Sequence, residues 1–585
     1  MYLIYCHGTR GGGVRRRGNR REAPIQEKRM TKKSAGCVAV RSGRRAAALL
    51  LVMAVSAALV FAGGCSSKSK GGKNGKQFPN IQLLYNTSEA HKAIAEAIQQ
   101  MWQKELGIKV TLTNAEWKVY LKNLSSGDYN IARSSWIADY SDPNTYLDMF
   151  VTGGGNNQTG WSNKQYDDLL DAALKEVDPR KRYKILNDAE NILVNDEVPI
   201  MPIYYYVCKN LLKKNVKNFQ FNVRDIHPLK EVYMEKAGKP APPAGQHFRF
   251  NLGTEPETID PALMTGVPEA QLAFQLFEGL VVNDPKTLEP KPGCAEKWEI
   301  SPDGLVYTFH LRKGLKWSNG DPLTAEDFFY SWKRVLEPKT ASEYVYQMFY
   351  IKNGKQYFEG KIKDFSQVGL KVIDPLTIQV TLENPTHFWL DLMAFHTAAP
   401  VNKKCVEKYG DRWTRPENIV TNGPFLLKSW IPKDKMIMVK NPGYYDADKV
   451  KLQKITISTI EDTITSVHMF EANQTDWVNT IPPTYIDKVK KEKWPEAYFT
   501  PYLGSYFYRF NVRKPPFNDK RVRMALNLAV NKEEICKYVT KAGEKPAMTL
   551  VPLAMPNYPQ VKGQEYNPER ARQLLREAGY AVNVK

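Results

Sequence analysis

The spacing of apolar residues along the chain predicts a mixed α/β fold. Ile94, Ile98, Trp102 and Leu106 recur at helical intervals, and Gly107 follows them as a helix stop. Similar patterns predict helices at 166–177, 179–194, 325–335 and 567–578. Alternating or continuous apolar runs predict strands at 81–85, 108–112, 198–207, 247–254, 307–311 and 377–380. Proline cannot donate to a strand ladder, so Pro202 is expected to interrupt the strand at 198–207.

One stretch concentrates the candidate chemistry. Residues 131–138 are mostly apolar and predict a buried strand, after which Asp142 and Pro143 predict a helix start with Asp142 as N-cap. Asp139 is left without a capping role, and a carboxylate at the end of an apolar strand needs a partner. Two interpretations stay open: an internal salt bridge or turn carboxylate, and a pocket carboxylate that receives a cation. Arg133 offers the opposite charge, so the two could hold a small zwitterion at both ends.

The first part of the chain differs in charge from the rest. The net charge is +21, but residues 1–64 hold 13 Lys/Arg against two acidic residues, and the remainder shows no basic stripe suited to nucleic acid. The apolar run at 46–62 follows several arginines, which is typical of a signal peptide. A transmembrane anchor is the alternative, although the run is short for spanning. Cys65 lies in a pattern that resembles a lipoprotein cleavage box and is expected to be lipidated, and residues 65–77 resemble a flexible tether.

The chain shows no catalytic signature. It contains no GxSxG, HExxH or phosphate-binding loop. The cysteines after Cys65 are far apart and lack CxxC or His-paired spacing, so no zinc site is expected and no disulfide pairing can be chosen. They are Cys208, Cys294, Cys405 and Cys536. The sequence therefore favours a binding protein over an enzyme, with no metal and no cofactor.

Several long motifs resemble one family. IARSSWIADYSDP resembles the ligand-holding strand of the oligopeptide-binding proteins of bacterial ABC peptide importers, the extracellular solute-binding family 5. NLGTEPETIDP, LFEGL, AEKWEISPDGLVYTFHLRKGLKWSNGDPLTAEDFFYSW, TNGPF and PPFNDKRVRMALNLAVNK resemble it again over residues 247–585. The resemblance implies a class II periplasmic-binding α/β fold, in which two lobes close on a ligand and a third lobe packs beside them.

The same resemblance implies site residues. In that family the Asp of the ADY element binds the ammonium of a peptide, and the Arg six residues before it can take the carboxylate of a short peptide. The matching positions here are Asp139 and Arg133. His91 falls at another carboxylate position, although as a first-turn helix residue it could equally lie on the surface. The other expected contacts are Ser135 and Ile137 through main-chain groups, with Trp136, Asn86, Trp117, Val267, Tyr344, Tyr506 and Phe507 as lining. The aromatic pair at 506–507 could equally be core.

Some positions depart from the family pattern. Arg509 and Thr265 stand where well-known members have carboxylates, and Gly504 and Ile137 stand where those members have a disulfide. The departures make the expected cleft more positive. They put in doubt any transfer of a preference for basic side chains, and of the peptide length.

The motifs also occur in an unexpected order. NLGTEPETIDP, which comes first in the family, here follows ADYSDP, which comes late. Laid end to end, the two parts rebuild one family member, which suggests a circular permutation. The expected parts are a leader (1–64), a tether (65–77), a third, peptide-binding lobe (78–199 and 505–585), a first lobe (200–236, 247–277 and 411–504), a linker joining the ancestral termini (237–246) and an extra second lobe (278–410).

The expected function follows from the family. The protein would be an exported, membrane-tethered solute-binding lipoprotein, a monomer that captures short peptides and delivers them to the permease of an ABC importer. The alternatives are a peptide or cell-wall-peptide sensor on the same fold without transport, and a rearranged product with little function. Neighbouring permease and ATPase genes would favour import over sensing.

Overall fold

The structure, a computed structural model, describes residues 75–582 and residue 584. The predicted leader and signal peptide at 1–64, the predicted lipidation at Cys65 and most of the tether at 65–77 lie outside the described residues. Within the described part of the chain, no helix is both long and apolar enough to cross a membrane.

The strands account for most of the central architecture. In chain order they are β1 (Ile81–Asn86), β2 (Val110–Ala115), β3 (Ile131–Ile137), β4 (Ile200–Leu212), β5 (Val216–Lys217), β6 (Tyr233–Lys236), β7 (Lys239–Pro240), β8 (His247–Asn251), β9 (Val281–Asn283), β10 (Pro290–Pro292), β11 (Ala295–Ile300), β12 (Val306–Leu311), β13 (Leu370–Asp374), β14 (Thr377–Thr381), β15 (Phe425–Ile431), β16 (Lys435–Lys440), β17 (Lys454–Ser458), β18 (Trp477–Val478), β19 (Ala497–Phe510) and β20 (Lys545–Pro546).

Helices cover the strands and connect them. They are α1 (Glu89–Leu106), α2 (Trp117–Ser126), α3 (Asn144–Leu147), α4 (Lys164–Lys175), α5 (Pro179–Asn191), α6 (Val267–Leu276), α7 (Ala325–Leu336), α8 (Gly354–Phe358), α9 (Trp389–Met393), α10 (Lys403–Tyr409), α11 (Thr463–Glu471), α12 (Pro483–Glu492), α13 (Lys520–Leu528), α14 (Lys532–Glu534) and α15 (Pro568–Glu577). Gly107 ends α1 in the left-handed conformation, with φ of 71°, as its sequence position predicts.

One mixed sheet of 11 strands organises the structure. Its order is β15-β16-β17-β8-β18-β4-β19-β3-β1-β2, and β20 also pairs with β4. The strands that precede residue 237 share this sheet with those that follow residue 246, because β4 lies between β18 and β19. A separate four-stranded antiparallel sheet, β11-β12-β14-β13, belongs to the region 278–410.

The buried clusters follow the same division. One cluster draws almost all its members from residues 280–398. A second combines residues 81–131 and 201–204 with residues 506–575. A third combines 212–234 with 248–277 and 399–477. The second and third clusters thus contain residues from both sides of the segment 237–246, and neither side forms its core alone.

The two ends of the described chain meet in the second cluster. Lys76 N–H donates to Gly579 O at 2.8 Å, and Ala581 N–H donates to Lys76 O at 2.9 Å. The rings of Phe78 and Tyr580 pack with their centroids 4.9 Å apart. Helix α15 and strand β1 therefore lie in one body, as the reversed motif order predicts.

One sequence prediction about backbone structure needs correction. Pro202 does not interrupt its strand, since β4 runs on to Leu212. The pairing of β4 with β19 shifts register beside Pro202, and proline is tolerated in strands at irregularities of this kind. The predicted linker at 237–246 is ordered. It contains β7, and buried Gln246 ties it down by accepting from Met234 N–H at 2.9 Å and donating to Met234 O at 3.0 Å.

Candidate functional site

A cavity of about 390 Å³ contains most of the residues that the sequence singles out. Ten of the twelve predicted contact residues line it, and they come from β1, α1, α2, β3, the turn after β3, α6 and the segment before α8. They are Asn86, His91, Trp117, Arg133, Ser135, Trp136, Ile137, Asp139, Val267 and Tyr344.

Strand β3 presents a free edge to this cavity. It pairs with β19 from Ile131 to Ile137, but with β1 only at Ile131 and Ala132. Among the residues that the structure describes, no strand covers the second edge of residues 133–137. Their main-chain groups can therefore pair with an extended ligand.

Asp139 lies just past the end of β3. The next acidic residue, Asp142, makes the local contacts of this turn, so the Asp139 side chain is not needed for them. Asp142 accepts from Asn144 N–H at 2.9 Å and holds the Arg182 guanidinium through two bonds of 2.7 and 2.8 Å. The Asp139 carboxylate instead accepts from the Gln347 side chain at 3.0 Å and lies 3.5 Å from the Tyr344 hydroxyl. It therefore lies in the cavity wall between neutral donors.

The electrostatics of Asp139 favour a cationic ligand. Burial raises the pKa of Asp139 well above its ordinary value, and the nearby charge of Asp148 raises it further. Arg224 opposes both effects, but its guanidinium donates to the Asp139 main-chain oxygen at 2.8 Å and pairs with Asp391 at 3.2 Å. A ligand ammonium beside the carboxylate would supply the missing positive charge.

Arg133 occupies the other end of the free edge. Its guanidinium donates to the Tyr206 hydroxyl at 2.7 Å and to Asn86 Oδ1 at 3.3 Å, and it lies 4.9 Å from the centre of the Tyr506 ring. It does not pair with Asp139, since the two residues are separated by roughly 20 Å of extended chain. An internal salt bridge between them is thus excluded, and both charges face the cavity.

His91 lies near Arg133 without adding a charge. The Tyr506 hydroxyl lies 3.5 Å from His91 Nδ1. Burial, helped by the charges of Arg133 and Lys209, holds the pKa of His91 well below its ordinary value. A neutral imidazole can still donate one hydrogen bond to a carboxylate.

Two of the expected lining residues lie in the core instead, which is the alternative that the sequence left open for them. Tyr506 and Phe507 do not line the cavity, because the side chains of both residues are fully buried, each in a different core cluster. Tyr506 stacks on Tyr204 with ring centroids 4.8 Å apart, and its ring packs against the Arg133 guanidinium. Phe507 packs edge-on against Phe150 in the core.

Sequence reasoning missed two cations in the cavity wall. Lys209 lines the cavity and pairs with Glu544 at 2.9 Å, and Arg224 lines it beside Asp139. Lys209 lies in the largely apolar strand β4, and a charged residue in such a strand is a sequence signal that it has a specific role. Arg224 lies in a loop, and nothing in its sequence context marks it.

The comparisons with known proteins identify the family. The family model for bacterial extracellular solute-binding proteins, family 5 middle, matches residues 57–158 and 289–585, which is more than half of the chain. The chain belongs to this family. It is 39% identical over 343 residues to the periplasmic oligopeptide-binding protein OppA of Salmonella typhimurium, and the match covers 57% of the chain and 62% of that relative's length.

Solved structures agree with this assignment. The murein tripeptide-binding protein MppA of Escherichia coli matches with a TM-score of 0.55 and 33% identity, over 58% of this chain and 67% of that one. OppA of Haemophilus influenzae, solved in complex with the peptide RPPGFSPFR, matches with a TM-score of 0.53 and 35% identity, over 57% and 67%. Both are mixed α/β binding proteins.

Proposed function

We propose that this protein is an exported peptide receptor that captures short peptides and delivers them to an ABC importer. The observation that carries the proposal is the free edge of β3, flanked by the carboxylate of Asp139 and the guanidinium of Arg133. A peptide is a strand with an ammonium at one end and a carboxylate at the other. The cavity offers a partner for each of these three features.

The arrangement would bind many sequences. Main-chain groups of Ser135 and Ile137 would pair with the peptide backbone, which carries no side-chain information. Trp136, whose ring lies 5.9 Å from that of Tyr344, would wall a side-chain pocket. The small-molecule cavity of a binding protein commonly lies between lobes that close on the ligand.

The proposed architecture is a circularly permuted, three-lobed member of the family. Supporting it, the family model matches two segments separated by 130 residues, 159–288. The contact of Phe78 with Tyr580 joins the ends that the family order would connect. Single relatives match 57% to 58% of the chain, about the share held by residues 247–585. Three buried clusters give the proposed lobes partial support: their members fall largely within the predicted ranges, although Met201, Ile203 and Tyr204 pack with the residues of the proposed third lobe.

The route to the membrane is also part of the proposal. Cleavage before Cys65 and lipidation of that residue would anchor the body through the tether at 65–77, with the protein as a monomer. Radiolabelled palmitate or intact mass should report the lipid on Cys65, and Cys65→Ser should release the protein from membranes.

Identifying the natural ligand tests the function directly. The purified protein should release short peptides with free amino termini when it is denatured, and mass spectrometry would identify them. Release of cell-wall peptides alone would favour the sensor or murein-peptide alternative, which the relative MppA makes concrete. Release of non-peptide solutes, with no calorimetric binding of tripeptides, would contradict the proposal.

Arg133→Ala should weaken the binding of tripeptides more than the binding of pentapeptides. Arg133 would hold the carboxylate of a short peptide, whereas longer peptides would reach Lys209. We expect a loss of about 1.5–3 kcal/mol for tripeptides, the contribution of a hydrogen-bonded charge, measured by calorimetry. Lys209→Met is the matched comparison and should show the reverse order. An equal loss at every length would show that Arg133 is structural.

Lowering the pH should weaken peptide binding. Asp139 must be ionised to pair with an ammonium, and its pKa is raised in the empty cleft, so protons compete with the ligand as the pH falls through that pKa. The dissociation constant should rise by up to about tenfold per pH unit below it, and binding should release a proton. Calorimetry in buffers of different ionisation enthalpy measures both. A dissociation constant that does not rise at any pH down to the onset of acid unfolding would contradict this role.

A further inference from the structure

Buried arginines divide into two groups. Five arginines are buried among the residues that the structure describes, and three of them pair with a carboxylate: Arg182 with Asp142, Arg224 with Asp391 and Arg523 with Glu197. The other two, Arg133 and Arg509, form no ion pair within the described part of the chain, and both line the cavity. A buried charge without a counter-charge is costly, so each is suited to an anion that arrives with the ligand.

Arg509 is held in place by neutral groups. Its Nε donates to Ser134 Oγ at 2.9 Å, and one terminal nitrogen donates to Asn156 O at 2.6 Å and to Gln158 Oε1 at 2.9 Å. The other lies 3.4 Å from the Met149 sulfur, a weak acceptor. These contacts fix the orientation of the guanidinium while leaving its charge uncompensated.

Glu343 contacts Arg509 only indirectly, through the side-chain amide of Gln158. The Gln158 side chain accepts from Arg509 and donates to Glu343 Oε2 at 3.1 Å. Burial raises the pKa of Glu343 to about 7, so this group is only partly ionised at neutral pH. Glu343 therefore provides a partial and indirect counter-charge.

Arg509, which belongs to β19, contacts the face of β3 opposite to the face that carries Arg133. Side chains alternate along a strand, so Ser134 points away from the side of Arg133 and Ser135. Arg509 is bonded to Ser134, and both line the cavity. Asp139 and Arg133 mark the two ends of the proposed peptide, which leaves Arg509 to meet a side chain.

We propose that Arg509 is a specificity-determining residue that binds the carboxylate of an acidic side chain in the bound peptide. The inference rests on the proposed peptide-binding function and names its preferred ligand class: short peptides that carry a glutamate or aspartate. Binding adds a charge-assisted pair to the guanidinium and requires no covalent step.

The test compares tripeptides that differ only in charge. A glutamate is placed in turn at each position of trialanine, and each peptide is paired with its glutamine counterpart. At one or more positions the glutamate peptide should bind about tenfold to hundredfold tighter by calorimetry. Arg509→Met should reduce this ratio to about one, Arg509→Lys should keep a preference for glutamate, and Arg523→Met, outside the cavity, should leave the ratio unchanged.

Each result has a distinct meaning. Equal affinity for glutamate and glutamine peptides at every position would overturn the role of Arg509 while leaving peptide binding intact. An Arg509→Met variant that weakens all peptides by the same factor would show a structural arginine. Failure of every tripeptide, charged or neutral, to bind the unmodified protein would overturn both proposals. The wild-type peptide series decides the question even if Arg509→Met does not fold.

Discussion

Asp139→Asn should weaken the binding of free-amine peptides by about 2–5 kcal/mol, the cost of truncating one partner of a buried charge pair. The asparagine keeps the size of the side chain and removes only its charge. Tyr344 and Gln347, which contact the carboxylate, would remain to hold the side chain. Calorimetric titration of one tripeptide with both proteins measures the loss.

Capping the ligand should reproduce the effect of the substitution. An N-acetylated peptide has no ammonium, so it should bind the unmodified protein weakly and should lose little further affinity in Asp139→Asn. Coupling of this kind between a ligand group and a side chain is what a double-mutant cycle reports. Equal affinity of the unmodified protein for free and acetylated peptides would remove Asp139 from the ammonium site.

Asp148→Asn provides a matched control. Asp148 is buried close to Asp139, but it accepts from Tyr140 at 2.7 Å and Tyr350 at 3.0 Å and does not line the cavity. Its charge raises the pKa of Asp139. The control should therefore retain peptide binding at neutral pH and move the acid loss of affinity to lower pH.

The sequence predicts well what a local pattern determines. The apolar run before Asp139 predicted β3, and the position of Asp142 before a proline predicted that Asp139 would be left for another role. Gly107 marked the end of α1. In each case the residues that decide the structure lie within a few positions of one another, so no knowledge of distant partners was needed.

The sequence could not decide the contacts between distant segments. Whether Tyr506 faces a cavity or a core depends on β3 and β4, which flank β19 but lie about 370 and 300 residues away in the chain. Phe507 lies in the same run of apolar residues as Tyr506, and its side chain packs on Phe150 in the core. Arg224 reaches the cavity from a loop because Asp391, far along the chain, holds its guanidinium. Periodicity contains no information about such partners.

The order of the motifs leads to the second large expected effect. Residues 75–236 and 247–585 should each fail to fold alone, because the cluster containing Ile81 and Trp102 is completed by Ala571, Leu574 and Leu575. Removing one such leucine side chain costs about 2–5 kcal/mol, and a whole domain is stable by only about 5–15 kcal/mol. Deleting residues 567–585 should therefore abolish cooperative unfolding in denaturant. Leu574→Ala should destabilise strongly, and the exposed neighbour substitution Arg576→Ala should not.

Restoring the family order should leave the protein intact. A chain that begins at residue 247, runs to 585, passes through a short flexible loop to residue 75 and ends at 236 keeps every contact of the large sheet. Lys76 already bonds to Gly579 and Ala581, so the new link spans a short distance and costs little loop entropy. Peptide affinity should agree with that of the natural order within a few-fold, since β3, Asp139 and Arg133 are untouched. If instead residues 75–236 and 247–585, produced separately, each unfold cooperatively and do not associate when mixed, the chain is a fusion of two independent bodies and the permutation is refuted.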